Sequence, residues 1–349
     1  MESQVLTSAF ERIDKTLFTP FASKTVVVTG ATGLIGSLAC RAFAYANDRF
    51  GLDIKVIGIV RSIGKARGLF GTALSSTVAF AEQDLSEVNC PDIACDYILH
   101  AASITKSKLM VSQPVAVMDT SVNGTRSMLD LARKNRARMV FISSMEFYGS
   151  LSEGQVTDEG ALGYLDISSA RSCYPESKRF CECLCNSFAS QFNVSVCTAR
   201  LAQTFGAGVL PGENRAFFQF ARSATQGRDI VLKTKGFSEG NYVNSIDCIA
   251  ALLLLLAKGE SGQAYNVANE ESHGTIREVA ELAIRALGGK ESHVVIDEDI
   301  SNSSGYAPDV HLRLSSAKLR ALGWEPLYCL EASFQQLADY SNEQDLFEI

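Results

Sequence analysis

Short apolar runs alternate with stretches of helical spacing along most of the chain. In the helical stretches, apolar residues recur every three or four positions, as at Leu34, Leu38 and Ala42. Because strand and helix patterns alternate at this spacing, we predict an α/β fold built on a doubly wound parallel sheet. The predicted strands cover residues 25–29, 54–60, 78–81, 96–102, 139–143 and 195–199.

Three glycines follow the first predicted strand at three-residue intervals. Gly30 permits a tight turn, Gly33 lets a ligand approach the backbone, and Gly36 allows the next helix to pack closely on the strand. The N-terminus of that helix offers free N–H groups and a positive dipole to a pyrophosphate. This strand–turn–helix context predicts a Rossmann-type dinucleotide-binding domain. The turn residues predicted to contact the dinucleotide are Gly30, Thr32, Gly33, Leu34, Ile35 and Gly36.

The ends of the next strands indicate which dinucleotide is bound. An acid after the second strand would bind the 2′-hydroxyl of NAD, but the sequence has Arg61, which can pair with a 2′-phosphate. Arg61 therefore favours NADP, while NAD stays open because Arg61 can also be a solvated loop residue. Asp84, after the third strand, is placed to accept a hydrogen bond from adenine. His100, at the end of the fourth strand, is interpreted as a packed residue rather than a proton donor.

Composition and charge narrow the range of partners. The 349 residues are 46% hydrophobic and 20% charged, and the net charge of −7 argues against a nucleic-acid partner. The longest apolar run, 249–257, is far shorter than the roughly 20 residues of a membrane span. The charged N-terminus lacks the apolar segment of a secretory signal, and the ten cysteines do not form a disulfide pattern. We therefore expect a cytoplasmic protein with no membrane partner and no metal site.

Candidate chemistry lies after the fifth strand, at the start of the following helix. Tyr174 and Lys178 are four residues apart and therefore share one helix face. An ammonium group beside a phenol favours the phenolate and lowers the phenol pKa. Tyr174 can then take a proton from a hydroxyl group as a hydride leaves the carbon. Ser144 can hydrogen-bond the same hydroxyl, and Lys178 can also hold the nicotinamide ribose.

These motifs resemble the extended short-chain dehydrogenase/reductase family of nucleotide-sugar epimerases and dehydratases, over about residues 24–330. The resemblance implies a tightly bound NAD(P) that oxidises a sugar hydroxyl, usually at C4, and later returns the hydride. It also implies a homodimer formed through a helix bundle. The motifs that carry it are Gly30/Gly33/Gly36, Asp84-Leu85, His100-Ala101-Ala102, Asn123-Gly124-Thr125, Ser143-Ser144 through Tyr148-Gly149, Tyr174/Lys178, Arg200 through Gly206, and Leu322-Gly323-Trp324-Glu325-Pro326. The further cofactor contacts that it implies are Leu85, Ala101, Ala102, Ser103, Asn123 and Ser143.

The chain is predicted to divide into three parts. Residues 1–23 form a helical extension, 24–200 the NAD(P)-binding Rossmann domain, and 201–349 mainly a smaller substrate-binding lobe. The resemblance implies that this lobe binds the nucleotide diphosphate. Domain and lobe are interwoven, because the apolar helix at 246–258 returns to the Rossmann domain.

Glu146, two residues after Ser144, bears on the subfamily. It matches the position of the base that removes the C5 proton in sugar 4,6-dehydratases. Uronate decarboxylases also carry a glutamate there, whereas simple 4-epimerases usually need none. The aspartate acid of one dehydratase type is Met145 here, and methionine cannot donate a proton. A dehydratase would therefore use Glu146 or a water molecule for that step. The segment from Cys173 through Cys185 resembles that of the decarboxylases.

The substrate lobe departs from the family pattern. Gln203 stands for the usual asparagine, one diphosphate-clamping arginine is replaced near Gly240, and a second is absent near residues 306–309. A diphosphate without guanidinium partners is held less strongly, so either other cations substitute or the substrate is not an ordinary nucleotide sugar. The predicted substrate contacts are Gln203, Arg215 and Asn241, with Arg222, Lys233 and Lys235 as further candidate cations.

Three functions follow from these observations. The first is an NAD(P)-dependent, 4,6-dehydratase-like enzyme acting on a nucleotide sugar, with Ser144, Glu146, Tyr174 and Lys178 as catalytic residues. The second is a 4-epimerase or a UDP-glucuronate decarboxylase on the same scaffold. The third is a non-catalytic NAD(P)-binding sensor, motivated by the missing arginines. The intact serine, tyrosine and lysine argue against a sensor, because binding alone does not need an activated phenol.

Overall fold

The computed structural model describes residues 3–74, 77–152, 154–288, 291–298 and 310–348. The helices are α1 Gln4–Phe10, α2 Leu34–Phe50, α3 Ile63–Leu74, α4 Ser107–Ser112, α5 Pro114–Asn135, α6 Cys173–Phe192, α7 Ala216–Thr225, α8 Ser245–Lys258, α9 Ile276–Leu287, α10 Ala317–Arg320 and α11 Leu330–Glu343. The strands are β1 Thr25–Thr29, β2 Lys55–Val60, β3 Val78–Glu82, β4 Tyr97–His100, β5 Arg138–Ser144, β6 Val156–Thr157, β7 Val196–Leu201, β8 Gln203–Phe205, β9 Ile230–Leu232, β10 Glu239–Asn244, β11 Ala264–Val267, β12 Asn269–Thr275, β13 Val294–Ile296 and β14 Arg313–Leu314.

A seven-stranded parallel sheet forms the centre of the molecule, in the order β11-β7-β5-β4-β1-β2-β3. The chain builds outward from β1 to β3 and then crosses back to β4 on the other side of β1. The carboxyl ends of β1 and β4 therefore form the topological switch point, where open α/β sheets bind ligands. Val26, Val27 and Val28 of β1 are fully buried, as a strand covered on both faces requires. The predicted doubly wound fold is confirmed.

Helices cover both faces of this sheet. On one face, α8 packs against α2, β4, β5 and β7, and its run Leu252–Leu256 is buried on all sides of the helix. On the other face, α5 and α6 pack on each other and on β5, with Met128, Leu131 and Phe188 in their shared core. The apolar helix predicted at 246–258 is α8, which lies against this sheet. No described helix is long and apolar enough to cross a membrane.

The second lobe is built on the three-stranded sheet β12-β10-β8 and the pair β13-β9. Helices α7, α9 and α11 pack against one another beside these strands. The sequence division placed residues 201–349 mainly in this lobe, but β11 lies in the main sheet, where Ala264–Val267 pair in parallel with β7.

Two helix ends have a local cause. Pro114 lacks an N–H to continue α4 and instead opens α5 at its first position. In the N-terminal extension, predicted to be helical, the α-helix ends at Phe10, and short 3-10 turns follow. Phe10 and Ile13 are buried on the main body.

Candidate active site

The glycine turn lies at the switch point between β1 and β4. Gly30 has a φ of +63°, and a Cβ added to it would lie 2.9 Å from the backbone of Ala102, which follows β4. A Cβ on Gly36 would overlap the Gly30 carbonyl group, so glycine sets how closely α2 approaches β1. Gly33 precedes α2 and offers no side chain to cap it. The first-turn N–H groups of α2 are therefore suited to bind phosphate oxygens.

A buried hydrogen-bond chain fixes the two strand ends relative to each other. The Thr29 hydroxyl accepts the Ala102 N–H at 3.0 Å and lies 2.7 Å from His100 Nδ1. The other ring nitrogen of His100 lies 3.2 Å from the Thr125 hydroxyl. Burial, with a contribution from the Lys178 charge, lowers the pKa of His100 to about 3. His100 is therefore neutral at physiological pH and acts as a packed connector between β1, β4 and α5.

Two of the predicted cofactor residues carry buried hydroxyl groups without a partner. Within the described residues, Ser103 Oγ and Ser143 Oγ make no hydrogen bond. Ser103 follows β4, whose end lies against the glycine turn, and Ser143 is the next-to-last residue of β5, which pairs with β4. An unpaired buried hydroxyl is costly, so both groups fit a polar ligand lying across the strand ends. With the glycine turn, they fit a dinucleotide.

The predicted adenosine end lies along β2 and β3. Asp84 accepts the Ser86 N–H at 2.9 Å, and Asn123 donates to the Ser86 carbonyl at 2.6 Å. The hydrogen bonds with Ser86 lower the pKa of Asp84, and the charge of Arg61 adds to this effect. Arg61 is exposed, and the neighbouring Glu82 accepts the Ile63 N–H at 3.1 Å. Arg61 and two carboxylates thus share this end of the site.

The predicted catalytic groups meet where β5 ends and α6 begins. Ser144 ends β5, and its hydroxyl is near enough to Tyr174, in the first turn of α6, to influence the pKa of that phenol. One turn later, the Lys178 ammonium lies 5.6 Å from the centre of the Tyr174 ring and donates to the Ile142 carbonyl at 2.8 Å. Burial lowers the pKa of Lys178 to about 8.

The pKa of Tyr174 differs from the sequence expectation. Burial raises it, the Glu146 charge raises it further, and the hydrogen bond with Ser144 opposes the rise. The cations that also oppose it are Arg171 and Arg215 rather than Lys178. The lowering expected from Lys178 is not among these effects; its ammonium lies over the Tyr174 ring, 5.6 Å from the ring centre, and donates to the Ile142 carbonyl.

Glu146 lies beside Tyr174 in a 3-10 turn over Met145–Tyr148. Its N–H donates to Ser144 Oγ at 3.2 Å, so one serine orders both Glu146 and Tyr174. The carboxylate pairs with Arg171 Nη2, at 3.0 Å to Oε1 and 2.8 Å to Oε2. Arg171 was not among the residues predicted from the sequence. Its position three residues before Tyr174, just ahead of the segment that resembles the decarboxylases, is the only pattern that points to it.

The three predicted substrate contacts have different surroundings in the structure. Gln203 is half-buried at the start of β8. Arg215 precedes α7, pairs with Glu213 at 2.6 Å and is near enough for its charge to lower the Tyr174 pKa, so it faces the cleft. Asn241 does not reach the cleft: it is fully buried, donates to the Asn269 carbonyl at 3.1 Å and accepts the Leu314 N–H at 2.6 Å. Its β-sheet register turns the amide into the lobe.

Gly240 marks the opening where the usual arginine is missing. Gly240 is buried, and a Cβ added to it would lie 3.9 Å from the Met145 side chain, so Gly240 lies beside the turn that carries Glu146. Among the other candidate cations, Lys233 pairs with Asp297, and Arg222 has a buried Nε without a hydrogen bond in the described residues. Residues 306–309, where a second arginine is expected, lie outside the described residues. No cluster of three metal-ligating side chains occurs in the described ranges.

Comparisons with known proteins agree with this fold. The model of the NAD dependent epimerase/dehydratase family matches residues 26–268. UDP-glucuronic acid decarboxylase 1 of Danio rerio is 27% identical over 324 residues, covering 92% of this chain and 73% of that protein. The low-salt glycan biosynthesis protein Agl12 of Haloferax volcanii is 25% identical, covering 90% of this chain and 97% of that protein.

Solved structures share the fold at lower identity. UDP-glucose 4-epimerase of Thermotoga maritima, solved with UDP-glucose, has a TM-score of 0.75 at 20% identity and covers 92% of this chain and 99% of its own. A dTDP-glucose 4,6-dehydratase of Streptomyces venezuelae, solved with NAD, has a TM-score of 0.73 at 22% identity and covers 91% of this chain and 97% of its own.

Proposed function

Since the chain belongs to the NAD-dependent epimerase/dehydratase family of enzymes, we propose that it oxidises a hydroxyl of a nucleotide sugar at the Ser144–Tyr174–Lys178 group and completes the reaction with Glu146, in the manner of a 4,6-dehydratase. The observation that carries this proposal is the arrangement around Ser144. Its hydroxyl accepts the N–H of Glu146 at 3.2 Å and is near enough to the phenol of Tyr174 to oppose the rise of the Tyr174 pKa. Two proton-transfer groups therefore flank one hydrogen-bonding serine.

The four predicted catalytic residues have different roles in this reaction. When bound, an oxidised nicotinamide would supply the hydride acceptor for oxidation of the C4 carbinol to a ketone. Tyr174 accepts the hydroxyl proton, while Ser144 orients that hydroxyl. Lys178, held by the Ile142 carbonyl, binds the ribose and supplies positive charge below the ring. The ketone makes the neighbouring C5–H acidic, and Glu146 removes that proton. The electron pair of the C5–H bond forms a C5–C6 double bond as the C6 hydroxyl leaves as water, protonated by Glu146 or a water molecule. The hydride and a proton are then returned to C6 and C5.

A uronate decarboxylase is the second candidate, and Met145 favours it. Elimination of water requires an acid for the leaving hydroxyl, which methionine cannot supply. Decarboxylation needs no such acid, because the C5–C6 bond breaks, its electron pair enters the C4–C5 enolate and carbon dioxide leaves. C5 is then protonated. The similarity to UDP-glucuronic acid decarboxylases over most of the chain supports this candidate.

Product mass separates the candidates. The enzyme is incubated with UDP-, dTDP-, GDP- and CDP-sugars, including sugar acids, with NAD or NADP added. Loss of water supports the dehydratase, loss of carbon dioxide the decarboxylase, and unchanged mass with inverted stereochemistry a 4-epimerase. If no sugar reduces the cofactor, the enzyme proposal is wrong and the protein is a dinucleotide sensor.

NADP is the proposed cofactor, on the strength of Arg61 at the ribose end. The free-thiol state of all ten cysteines supports the cytoplasmic location. Arg61→Ala should weaken binding of NADP and leave binding of NAD unchanged, as measured by titration calorimetry. A wild-type preference for NAD would instead assign the 2′-hydroxyl to Glu82 or Asp84.

We also propose a homodimer formed through α5 and α6. Val115 and Met118 lie on one face of α5, and Val111 and Phe180 expose further apolar surface on α4 and α6. An exposed apolar patch of this kind marks an interaction site. An isologous pairing of the two helices would cover it on both copies.

A further inference from the structure

One nitrogen of Arg171 spans both oxygens of the Glu146 carboxylate. Nη2 lies 3.0 Å from Oε1 and 2.8 Å from Oε2. The side chains of Arg171 and Glu146 are 29% and 36% exposed, so water reaches the pair. A partly exposed ion pair contributes little to folding stability. Its value therefore lies in the geometry that it imposes on Glu146.

Arg171 belongs to an anchored turn. It lies in the 3-10 turn Ala170–Ser172, directly before α6 and three residues before Tyr174. Ser172 Oγ donates to the Asp166 carbonyl at 2.7 Å and Cys173 Sγ to the Met110 carbonyl at 3.4 Å. These bonds fix the backbone from which the guanidinium extends.

Glu146 belongs to a second anchored turn. The Ser144 hydroxyl holds the Glu146 N–H, and Arg179 donates to the Phe147 carbonyl at 2.8 Å and to the Tyr148 carbonyl at 3.3 Å. With both backbones fixed, the freedom that remains is in the glutamate side chain. The contact with Arg171 restricts that freedom.

We propose that Arg171 is a positioning residue that fixes the Glu146 carboxylate beside Tyr174 for the second proton transfer. This inference rests on the proposed function, since it assigns Arg171 to the half-reaction in which Glu146 acts. Hydride transfer uses Ser144, Tyr174 and Lys178, which Arg171 does not touch. The two half-reactions should therefore respond differently to a change at Arg171.

The test measures the half-reactions separately on the full-length enzyme with cofactor and its best substrate from the sugar panel. The first half-reaction is followed by reduction of the bound nicotinamide. The second is followed by exchange of the C5 hydrogen for deuterium from heavy water. Arg171→Met should lower exchange by about 100-fold, since misplacing a reacting group by about 1 Å costs about that much. Nicotinamide reduction should fall far less, and Arg171→Lys should recover part of the exchange.

Arg215→Met is the matched control. This variant also removes a cation that opposes the rise of the Tyr174 pKa. Arg215, however, pairs with Glu213 and not with Glu146. It should change nicotinamide reduction without changing the ratio of exchange to reduction. A similar loss of ratio in both variants would show a general charge effect and overturn the proposal.

A double-mutant cycle tests whether Arg171 acts through Glu146. Glu146→Asp keeps a carboxylate but shortens its reach, so Arg171→Met should add little in that background. Three outcomes would each overturn the positioning role. The losses could multiply in the double variant, or the ratio of exchange to reduction could stay unchanged in Arg171→Met. Alternatively, Arg171→Met could lose both half-reactions equally, with lowered thermal stability. If Glu146→Gln leaves exchange intact, the proposed function of Glu146 fails instead.

Discussion

At the residue scale, the candidate site depends on how a buried phenol is prepared to accept a proton. Burial and the Glu146 carboxylate both raise the pKa of Tyr174, whereas Ser144, Arg171 and Arg215 oppose the rise. The phenol therefore depends on contacts that lie outside its own helix. This is why a tyrosine–lysine spacing by itself does not make a catalytic residue.

The first residue-scale prediction concerns the phenol oxygen of Tyr174. Tyr174→Phe removes the group that accepts the hydroxyl proton while keeping the packed ring. Nicotinamide reduction by substrate should fall by about 100- to 10,000-fold, the usual contribution of a general base. The dissociation constant of the cofactor should change little, as measured by calorimetry. Tyr164→Phe is the matched control, because that ring is 71% exposed and should be replaceable without effect. Full activity in Tyr174→Phe would remove Tyr174 from the mechanism.

At the element scale, the site depends on how closely α2 approaches β1. Gly36→Ala places a Cβ against the Gly30 carbonyl, so the helix must move away from the strand. The substitution should lower the free energy of unfolding by about 1–3 kcal/mol, the usual cost of overpacking, and should weaken cofactor binding. Gly68→Ala in α3 has open space for its Cβ and should stabilise by up to about 1 kcal/mol. Urea unfolding and cofactor titration measure both effects. Equal behaviour of the two variants would contradict the close-packing argument.

The sequence predicted those elements whose position is marked by a pattern in their own or adjoining residues. The valine run before Gly30 and the small residues after β4 were sufficient to place the strand ends that form the switch point. The short strand β11 was not assigned to the main sheet, because its parallel pairing with β7 is a long-range contact with no turn to mark it. Side-chain direction was also beyond the pattern, so Asn241 was predicted in the cleft although it is buried within the lobe. Arg171 was missed because its partner, Glu146, is 25 residues away.

At the scale of the whole molecule, the proposed dimer makes a direct prediction. Phe180 on α6 is 54% exposed beside the apolar face of α5. Phe180→Glu would place a charge on each side of an isologous interface, so the dimer should dissociate in sedimentation experiments. Phe237→Glu is the control, because Phe237 is 53% exposed on the substrate lobe. A monomeric wild type would contradict the proposed dimer. A dimer that survives Phe180→Glu and dissociates with Phe237→Glu would place the interface elsewhere.

One buried carboxylate, that of Asp247 in α8, holds the segment before α11, which also contacts the N-terminal extension. It accepts the N–H groups of Leu327 and Tyr328 at 2.8 and 3.1 Å, and Trp324 donates to its backbone carbonyl at 3.1 Å. From the N-terminal extension, Arg12 lies over the Tyr328 ring at 4.5 Å. Burial raises the pKa of Asp247 to about 7, although the two N–H groups and Arg12 oppose the rise.

This carboxylate should make the stability of the whole molecule depend on pH. An unfolded aspartate loses its proton near pH 4, whereas the folded one keeps it up to about pH 7. Between these values the folded state binds more protons, so the free energy of unfolding should fall as pH rises, by up to about 1.4 kcal/mol per pH unit. Asp247→Asn cannot titrate and should remove this slope in urea unfolding series, even though it loses one acceptor and is less stable throughout. Asp339→Asn, on α11, should keep the slope. If the free energy of unfolding of Asp247→Asn kept the same slope with pH, the Asp247 carboxylate would not be the source of the pH dependence.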